Sequence, residues 1–227
     1  MNAARSHIVI AIDGPAASGK SSVARALARR LAFAYVNTGA MYRAATWLVV
    51  SNGVPPDDAE RVQALLQSTK ITCGLSDGES TILVDGADPS GYLVDESVNA
   101  NVSTLASLPG VRRLLVEHQR AYAADHDLVM EGRDIGSVVF PDADVKIYLD
   151  ASAEERARRR AHDTAHAGSQ AGQAAVAEAI QARDLSDKTR TASPLALAPG
   201  AMHIDTTGMP IESVVDQVLA LVREKLH

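Results

Sequence analysis

A chain of 227 residues, 46% hydrophobic and 22% charged, has enough apolar material for one sizeable globular core. Its 22 basic residues face 28 acidic ones, a formal net charge of −6, which excludes broad neutralisation of a nucleic-acid backbone, and aromatics at 4% exclude a base-stacking platform. The single cysteine, Cys73, excludes an internal disulfide, and no apolar run reaches the ~18–20 residues of a membrane span, so a cytoplasmic protein without nucleic-acid or membrane partners is expected.

Residues 7–12 (HIVIAI) read as a continuous rather than alternating apolar run, which predicts a strand buried on both faces, as in a parallel sheet. After a glycine-rich turn, Val23, Ala24, Leu27, Ala28 and Leu31 recur at helical spacing over 20–31. A short apolar piece before Asn37 predicts the second strand. Apolar runs return at 127–130 (DLVM), 145–149 (VKIYL) and 202–204 (MHI), beside helical patterns at 110–124, 152–162 and 211–226. Strands alternating with helices predict a doubly wound α/β core. Residues 70–94 break that rhythm. Their β-rich pieces at 71–75, 80–84 and 92–94 are separated by Asp77-Gly78 and Asp85-Gly86, which predicts a small inserted antiparallel sheet. Residues 153–182, rich in Ala, Arg and Gln and interrupted by Gly168 and Gly172, predict two helices joined by a turn.

The strongest chemical signal is Gly14-Pro15-Ala16-Ala17-Ser18-Gly19-Lys20-Ser21, between the first strand and the first helix. Glycines let backbone N–H groups approach phosphate oxygens, and the helix N-terminus adds positive potential. Lys20 is expected to reach the β- and γ-phosphates and Ser21 to hold Mg²⁺. A GTPase should also carry an N-K-x-D motif, which is absent. Three further constellations follow. Glu131-Gly132-Arg133-Asp134 ends a predicted strand, where a carboxylate can hold a metal and an arginine can clamp phosphate; a locally ion-paired turn explains it equally well. Thr38 and Arg43, in NTGAMYR, suit an anion at a helix start, or else an N-cap and a surface arginine. The run Arg156, Arg158, Arg159, Arg160, with Arg183, Asp187, Lys188 and Arg190 beyond it, is either a solvated helix face or a lid over the transferring phosphate. His162 and His166 read as a solvated face rather than a metal pair.

Together, IDGPxxSGKS, TGAMYR, EGRDIGSVVFPDA and RDxxDxxR resemble the bacterial cytidylate kinase family of nucleoside monophosphate kinases, from about residue 8 to the last helix. The resemblance implies a single P-loop kinase domain over 1–227 with a five-stranded parallel sheet core. Within it lie a monophosphate-binding region at 37–106 that carries the inserted small antiparallel sheet, and a short lid at 153–170. It implies transfer of the γ-phosphate of ATP to CMP or dCMP by a monomer. ATP would be held by 14–21 together with Ser22 and Arg159, and Mg²⁺ by Ser21, Glu131 and Asp13. Arg43, Arg133 and Arg190 would surround the acceptor phosphate, beside Thr38, Tyr42 and Gly132. Ser103, Arg112 and Asp134 would read the cytosine edge, and Arg183 and Asp187 the sugar. Lys20, Arg133, Arg158, Arg183 and Arg190 would carry catalysis. Thr38 stands where Ser is common in the family, and Glu131 where Asp is common.

An acceptor phosphate is largely dianionic at pH 7, so its transfer needs positioning and charge neutralisation rather than a general base. An alcohol acceptor would need a carboxylate within ~3 Å of its hydroxyl, and Asp134 is the one attractive candidate. A kinase for UMP or a small alcohol, and a nucleotide sensor without turnover, are the alternatives. Eleven basic residues are expected to line one cleft: Lys20, Arg43, Arg112, Arg133, Arg156, Arg158, Arg159, Arg160, Arg183, Lys188 and Arg190.

Overall fold

The computed structural model of the chain describes residues 7–162, 173–190 and 192–226. The first strand, β1 (Val9–Asp13), is buried at every position. Its alternate residues serve two cores: Val9 and Ala11 join one apolar cluster, Ile10 and Ile12 the other. That is why the run is continuous in sequence. β1 pairs in parallel with β5 (Leu128–Gly132) on one side and β6 (Val145–Asp150) on the other. β2 (Ala34–Asn37) extends the sheet beyond β5, and β7 (Met202–Asp205) beyond β6, again in parallel.

Helices α1 (Lys20–Leu31) and α8 (Ile211–Leu226) cover one face, burying Val23, Leu27, Val215 and Val218 with Ile10, Ile12, Val129 and Ile147. The other face is covered by α2 (Thr38–Ser51), α3 (Ala59–Ser68), α4 (Glu96–Ser107) and α5 (Pro109–Ala121), whose Met41, Val62, Leu105 and Leu115 pack with Val9, Ala11 and Met130.

The excursion at 70–94 departs from expectation. β3 (Ile71–Ser76) and β4 (Glu79–Val84) form the antiparallel hairpin that the Asp77-Gly78 turn requires, with φ of 52° and 76° at its two corners. The hairpin is not a separate sheet. β4 runs parallel to β2 through the Tyr35–Glu79 pair, and the Tyr35 N–H donates to Gly78 O at 2.7 Å. The result is one sheet of seven strands, in the order β3-β4-β2-β5-β1-β6-β7, in place of the expected five plus a small second sheet. The third expected piece, at 92–94, is no strand; Ser90–Tyr92 is a single 3-10 turn.

α6 (Ala153–His162) and α7 (Gln173–Thr189) match the two helices expected around the lid. The remainder of the expected lid, 163–170, and with it His166, lies outside the described residues. Among the described residues, no helix is long and apolar enough to cross a membrane.

Candidate active site

The chain leaves β1 through a loop that only particular residues can build. A Cβ at Gly14, whose φ is 149°, would stand 2.0 Å from Leu149 O on β6. Gly19, at φ 91°, turns the backbone into α1. Lys20 is folded back into this loop: its Nζ donates to Pro15 O at 2.7 Å and lies 3.4 Å from Ser18 Oγ. Burial, helped by the nearby Arg133 charge, pushes its pKa down to about 7. The next hydroxyl, Ser21 Oγ, donates to Glu131 Oε1 at 2.8 Å. Parallel pairing brings Glu131 there, since Ile12 and Asp13 are in register with Glu131 and Gly132.

Beyond β5 the second half of the site is assembled. Thr38 Oγ1 donates to Glu131 O at 2.8 Å, and a Cβ on Gly132 would fall 2.7 Å from that hydroxyl. The α2 N-cap is Asn37, whose side chain accepts from the Ala40 N–H at 3.0 Å, so Thr38 is not the cap. Arg112 and Asp134 form a buried ion pair, and the Arg112 guanidinium lies 5.6 Å from the Tyr42 ring centroid. Arg133 Nε donates to Asp187 Oδ2 at 2.8 Å, while Arg190 approaches both Asp134 and Asp187 at 3.7 Å. Arg183 is crowded: burial first, then Arg133 and Arg43, lowers its pKa, and burial and Arg112 do the same to Arg190. Arg183 Nε and Arg190 Nη2 make no hydrogen bond. Both are cationic groups on residues that line the cleft.

Both halves open on one cleft of about 730 Å³, which Lys20, Ser21, Ser22, Thr38, Tyr42, Arg43, Ser103, Arg112, Glu131, Gly132, Arg133, Asp134, Arg158, Arg159, Arg160, Arg183, Asp187 and Arg190 all line. Three sequence expectations are corrected there. Asp13 does not line it: its two carboxylate oxygens accept the Ile135 and Gly136 N–H groups, each at 2.8 Å, and burial raises its pKa to about 6. It anchors the turn after Asp134. Arg156 is spent on structure, paired with Asp184 and donating to Ala151 O at 3.0 Å and Ala16 O at 3.2 Å, which braces the loop from behind. Lys188 is exposed and away from the cleft.

Sequence reasoning passed over Glu155, which orients Arg158 and Arg159 at 2.8 Å each. It also passed over Thr206, whose carbonyl accepts from Arg159 Nη2 at 2.7 Å and whose hydroxyl reaches Ser18 O at 3.3 Å. Met209, Pro210 and Ile211, on the rim nearest Arg159, carry no motif at all. Among the described residues no cluster of three or more His, Cys, Asp or Glu side chains exists for a metal. A hydroxyl and a carboxylate beside a phosphate loop are nevertheless hard oxygen donors of the kind Mg²⁺ takes, with phosphate oxygens and water completing the shell. Ser21 and Glu131 fit that group.

A phosphate-cradling loop after β1, sharing one cleft with a cluster of arginines, defines the P-loop phosphotransferases. Within that class the chain belongs to the cytidylate kinase family, whose model, described as Cytidylate kinase, matches residues 10–224. It is therefore a nucleotide-binding kinase. A cytidylate kinase of Geobacillus sp. (strain WCH70) is 42% identical over 222 residues, 98% of this chain and 99% of that one. A bifunctional pantoate ligase/cytidylate kinase of Synechococcus sp. (strain WH7803) is 47% identical over 217 residues, 95% of this chain; the chain spans only 44% of that longer protein. The solved structure of an uncharacterized protein from Eubacterium ventriosum ATCC 27560 shares the fold with a TM-score of 0.52 at 10% identity, covering 96% of this chain and 99% of that one.

Proposed function

We propose that the enzyme, acting as a cytoplasmic monomer, transfers the γ-phosphoryl group of ATP to CMP or dCMP by direct in-line displacement, without a general base. One observation carries this: a P-loop lysine and the Arg133–Arg183–Arg190 cluster face each other across a single cleft, with guanidinium donors there that make no hydrogen bond. A dianionic donor and a dianionic acceptor would repel on approach, and this arrangement offsets that repulsion from both sides.

The loop 14–21 with Ser22 and Arg159 would hold ATP, and Lys20 would exchange its bond to Pro15 O for phosphate oxygens. Mg²⁺, held by Ser21 and Glu131, would neutralise charge on the donor phosphates when bound. Arg43, Arg133 and Arg190, beside Thr38, Tyr42 and Gly132, would fix the acceptor phosphate, and Ser103, Arg112 and Asp134 the cytosine edge. The Arg112–Asp134 pair supports that last assignment, because it presents a donor and an acceptor side by side in fixed orientation. Arg183 and Asp187 would meet the sugar, accepting ribose and deoxyribose alike, and Arg158 would come to the transferring group from the α6 side.

Base catalysis has little support here. Among the described residues, each of the four carboxylates lining the cleft already has a partner: Glu131 with Ser21, Asp134 with Arg112, Glu155 with Arg158 and Arg159, Asp187 with Arg133. Asp134, the candidate for activating an alcohol, is buried in an ion pair. A rate panel of ATP with CMP, dCMP, UMP, AMP and shikimate tests the proposal. CMP and dCMP should be the best acceptors by a clear margin, and a preference for any of the others refutes it. A nucleotide sensor without turnover would show no transfer in any arm.

A further inference from the structure

Tyr35, on β2, belongs to no motif, yet its side chain ends beside the Ser21–Glu131 pair. The parity of the strands puts it there. Tyr35 is in register with Val129, so it and Glu131, two residues along β5, rise on the same face of the sheet, the face covered by α1. Tyr35 is 2% exposed. Its hydroxyl lies against the Ser21 side chain and feels the Glu131 charge, yet it closes no hydrogen bond of good geometry. A buried hydroxyl left open is uncommon and costs stability, so its retention calls for a reason.

The ring is held from the other side. Arg25 lies over it at 4.9 Å from the centroid, and Arg25 Nε is tied to Glu79 at 3.1 Å. Glu79 opens β4, the strand that pairs with β2 at Tyr35 itself. A line of contacts therefore runs from the hairpin through Arg25 and the Tyr35 ring to the Ser21 hydroxyl and Glu131. Ser21 has one proton, and it is committed to Glu131 Oε1. The Tyr35 O–H is a buried donor beside the pair that no other group uses.

We infer that Tyr35 is a positioning residue for the magnesium–nucleotide site: its hydroxyl, open in the empty enzyme, closes a second hydrogen bond onto the Ser21–Glu131 pair when the site is filled, and the hairpin braces its ring. Partners that orient a metal ligand are typically worth about 10–100-fold in metal affinity. The inference rests on Ser21 and Glu131 being the metal-binding pair, and its test separates the two ideas.

ADP binding is measured by calorimetry with Mg²⁺ and with EDTA, for the unaltered enzyme and for Tyr35→Phe, Glu79→Gln and Ser21→Ala. For Tyr35→Phe the factor by which Mg²⁺ tightens ADP binding should shrink about tenfold, while affinity in EDTA and the KM for CMP stay unchanged. Glu79→Gln, at the surface end of the line, should shrink the same factor less, and it keeps the test available if Tyr35→Phe folds poorly. A hydroxyl that is merely tolerated predicts the opposite pattern: Mg²⁺ coupling within twofold of the unaltered enzyme and a raised melting temperature once the open hydroxyl is gone. That pattern, with coupling lost in Ser21→Ala, overturns the role of Tyr35 alone. If Ser21→Ala also keeps its Mg²⁺ coupling, the assignment of the metal pair fails, and the role of Tyr35 fails with it.

Discussion

Replacing Lys20 by methionine should abolish phosphoryl transfer and, below neutral pH, make the empty enzyme more stable. Lys20 is 5% exposed, and burial with the Arg133 charge pushes its pKa from the ordinary 10.5 down to about 7. At about 1.4 kcal/mol per pKa unit, the fold opposes the charged lysine by roughly 5 kcal/mol. Methionine matches its length and carries no charge. It loses the 2.7 Å bond to Pro15 O, worth about 1–3 kcal/mol. The absolute gain depends on that offset, but its pH dependence does not. Between pH 7 and 10.5 the unfolded chain binds the lysine proton and the folded one does not, so the stability of the lysine enzyme rises with pH through that window. The methionine enzyme has no such slope. Its advantage should therefore be full below pH 7 and fall by roughly 3 kcal/mol between pH 6 and pH 9. Loss of the Lys20 charge raises Asp13, already at about 6, still further, which lowers the stability of the methionine enzyme with rising pH and so acts in the same direction. Urea unfolding of both enzymes, nucleotide-free and in EDTA, at pH 6, 7.5 and 9 measures the difference, and turnover should drop by at least ~10³-fold. Two stability curves that stay parallel across that range, within about 0.5 kcal/mol, refute the argument.

Other substitutions separate the roles of neighbouring charges. Arg156→Ala should act on stability, losing about 3–5 kcal/mol because the buried Asp184 loses its countercharge and keeps only the Ala16 N–H, with catalysis in the folded fraction reduced far less; denaturation beside active-site titration distinguishes the two. Arg190→Ala should lower kcat/KM for CMP about 10²–10³-fold, about 3–4 kcal/mol of transition-state binding, and near-normal turnover would remove it from the acceptor site. Asp13→Asn turns an amide N–H toward a backbone N–H at Ile135 or Gly136, so it should raise the KM for CMP while leaving the Mg²⁺ requirement intact. A large rise in the Mg²⁺ needed for half-maximal rate would restore Asp13 as a ligand.

The parallel core was legible in the sequence because strands buried on both faces cannot alternate, and β1 and β5 do not. The loop at 14–21 was legible because its residue types answer to local backbone demands, as the Gly14–Leu149 approach shows. What escaped was long-range. The hairpin announces itself through Asp77-Gly78, but its fusion to the main sheet hangs on one pairing, Tyr35 with Glu79, that no local pattern encodes. α4 carries Asn99, Asn101, Ser103 and Thr104, indifferent helix formers, and is held by burial of Val98, Val102 and Leu105. A carboxylate beside a phosphate loop reads as a metal ligand, whereas the partners Asp13 has in the structure are amides 122 and 123 residues away. Within one run of arginines, Arg156 is taken by Asp184 while Arg158, Arg159 and Arg160 line the cleft, a division that helix periodicity does not encode because Arg156 and Arg160 share a face.

The acidic net charge and the basic cleft belong to one arrangement. Buried guanidinium groups left beside one another would oppose folding before any substrate arrived, and the pKa of Arg183 is lowered by burial first and then by Arg133 and Arg43. Asp134 and Asp187, which are 4% exposed each, hold Arg112, Arg133 and Arg190 apart and oriented in the empty enzyme. Arg183 is left with the least compensation, so the repulsion it feels is relieved by an anion in the cleft. A Asp187→Asn enzyme should accordingly lose stability when empty and recover more of it on adding sulfate than the unaltered enzyme does, because the anion then replaces a missing charge. Equal stabilisation of both by sulfate, measured as the shift in melting temperature at fixed ionic strength, would show that the carboxylates do not serve as stand-ins for phosphate.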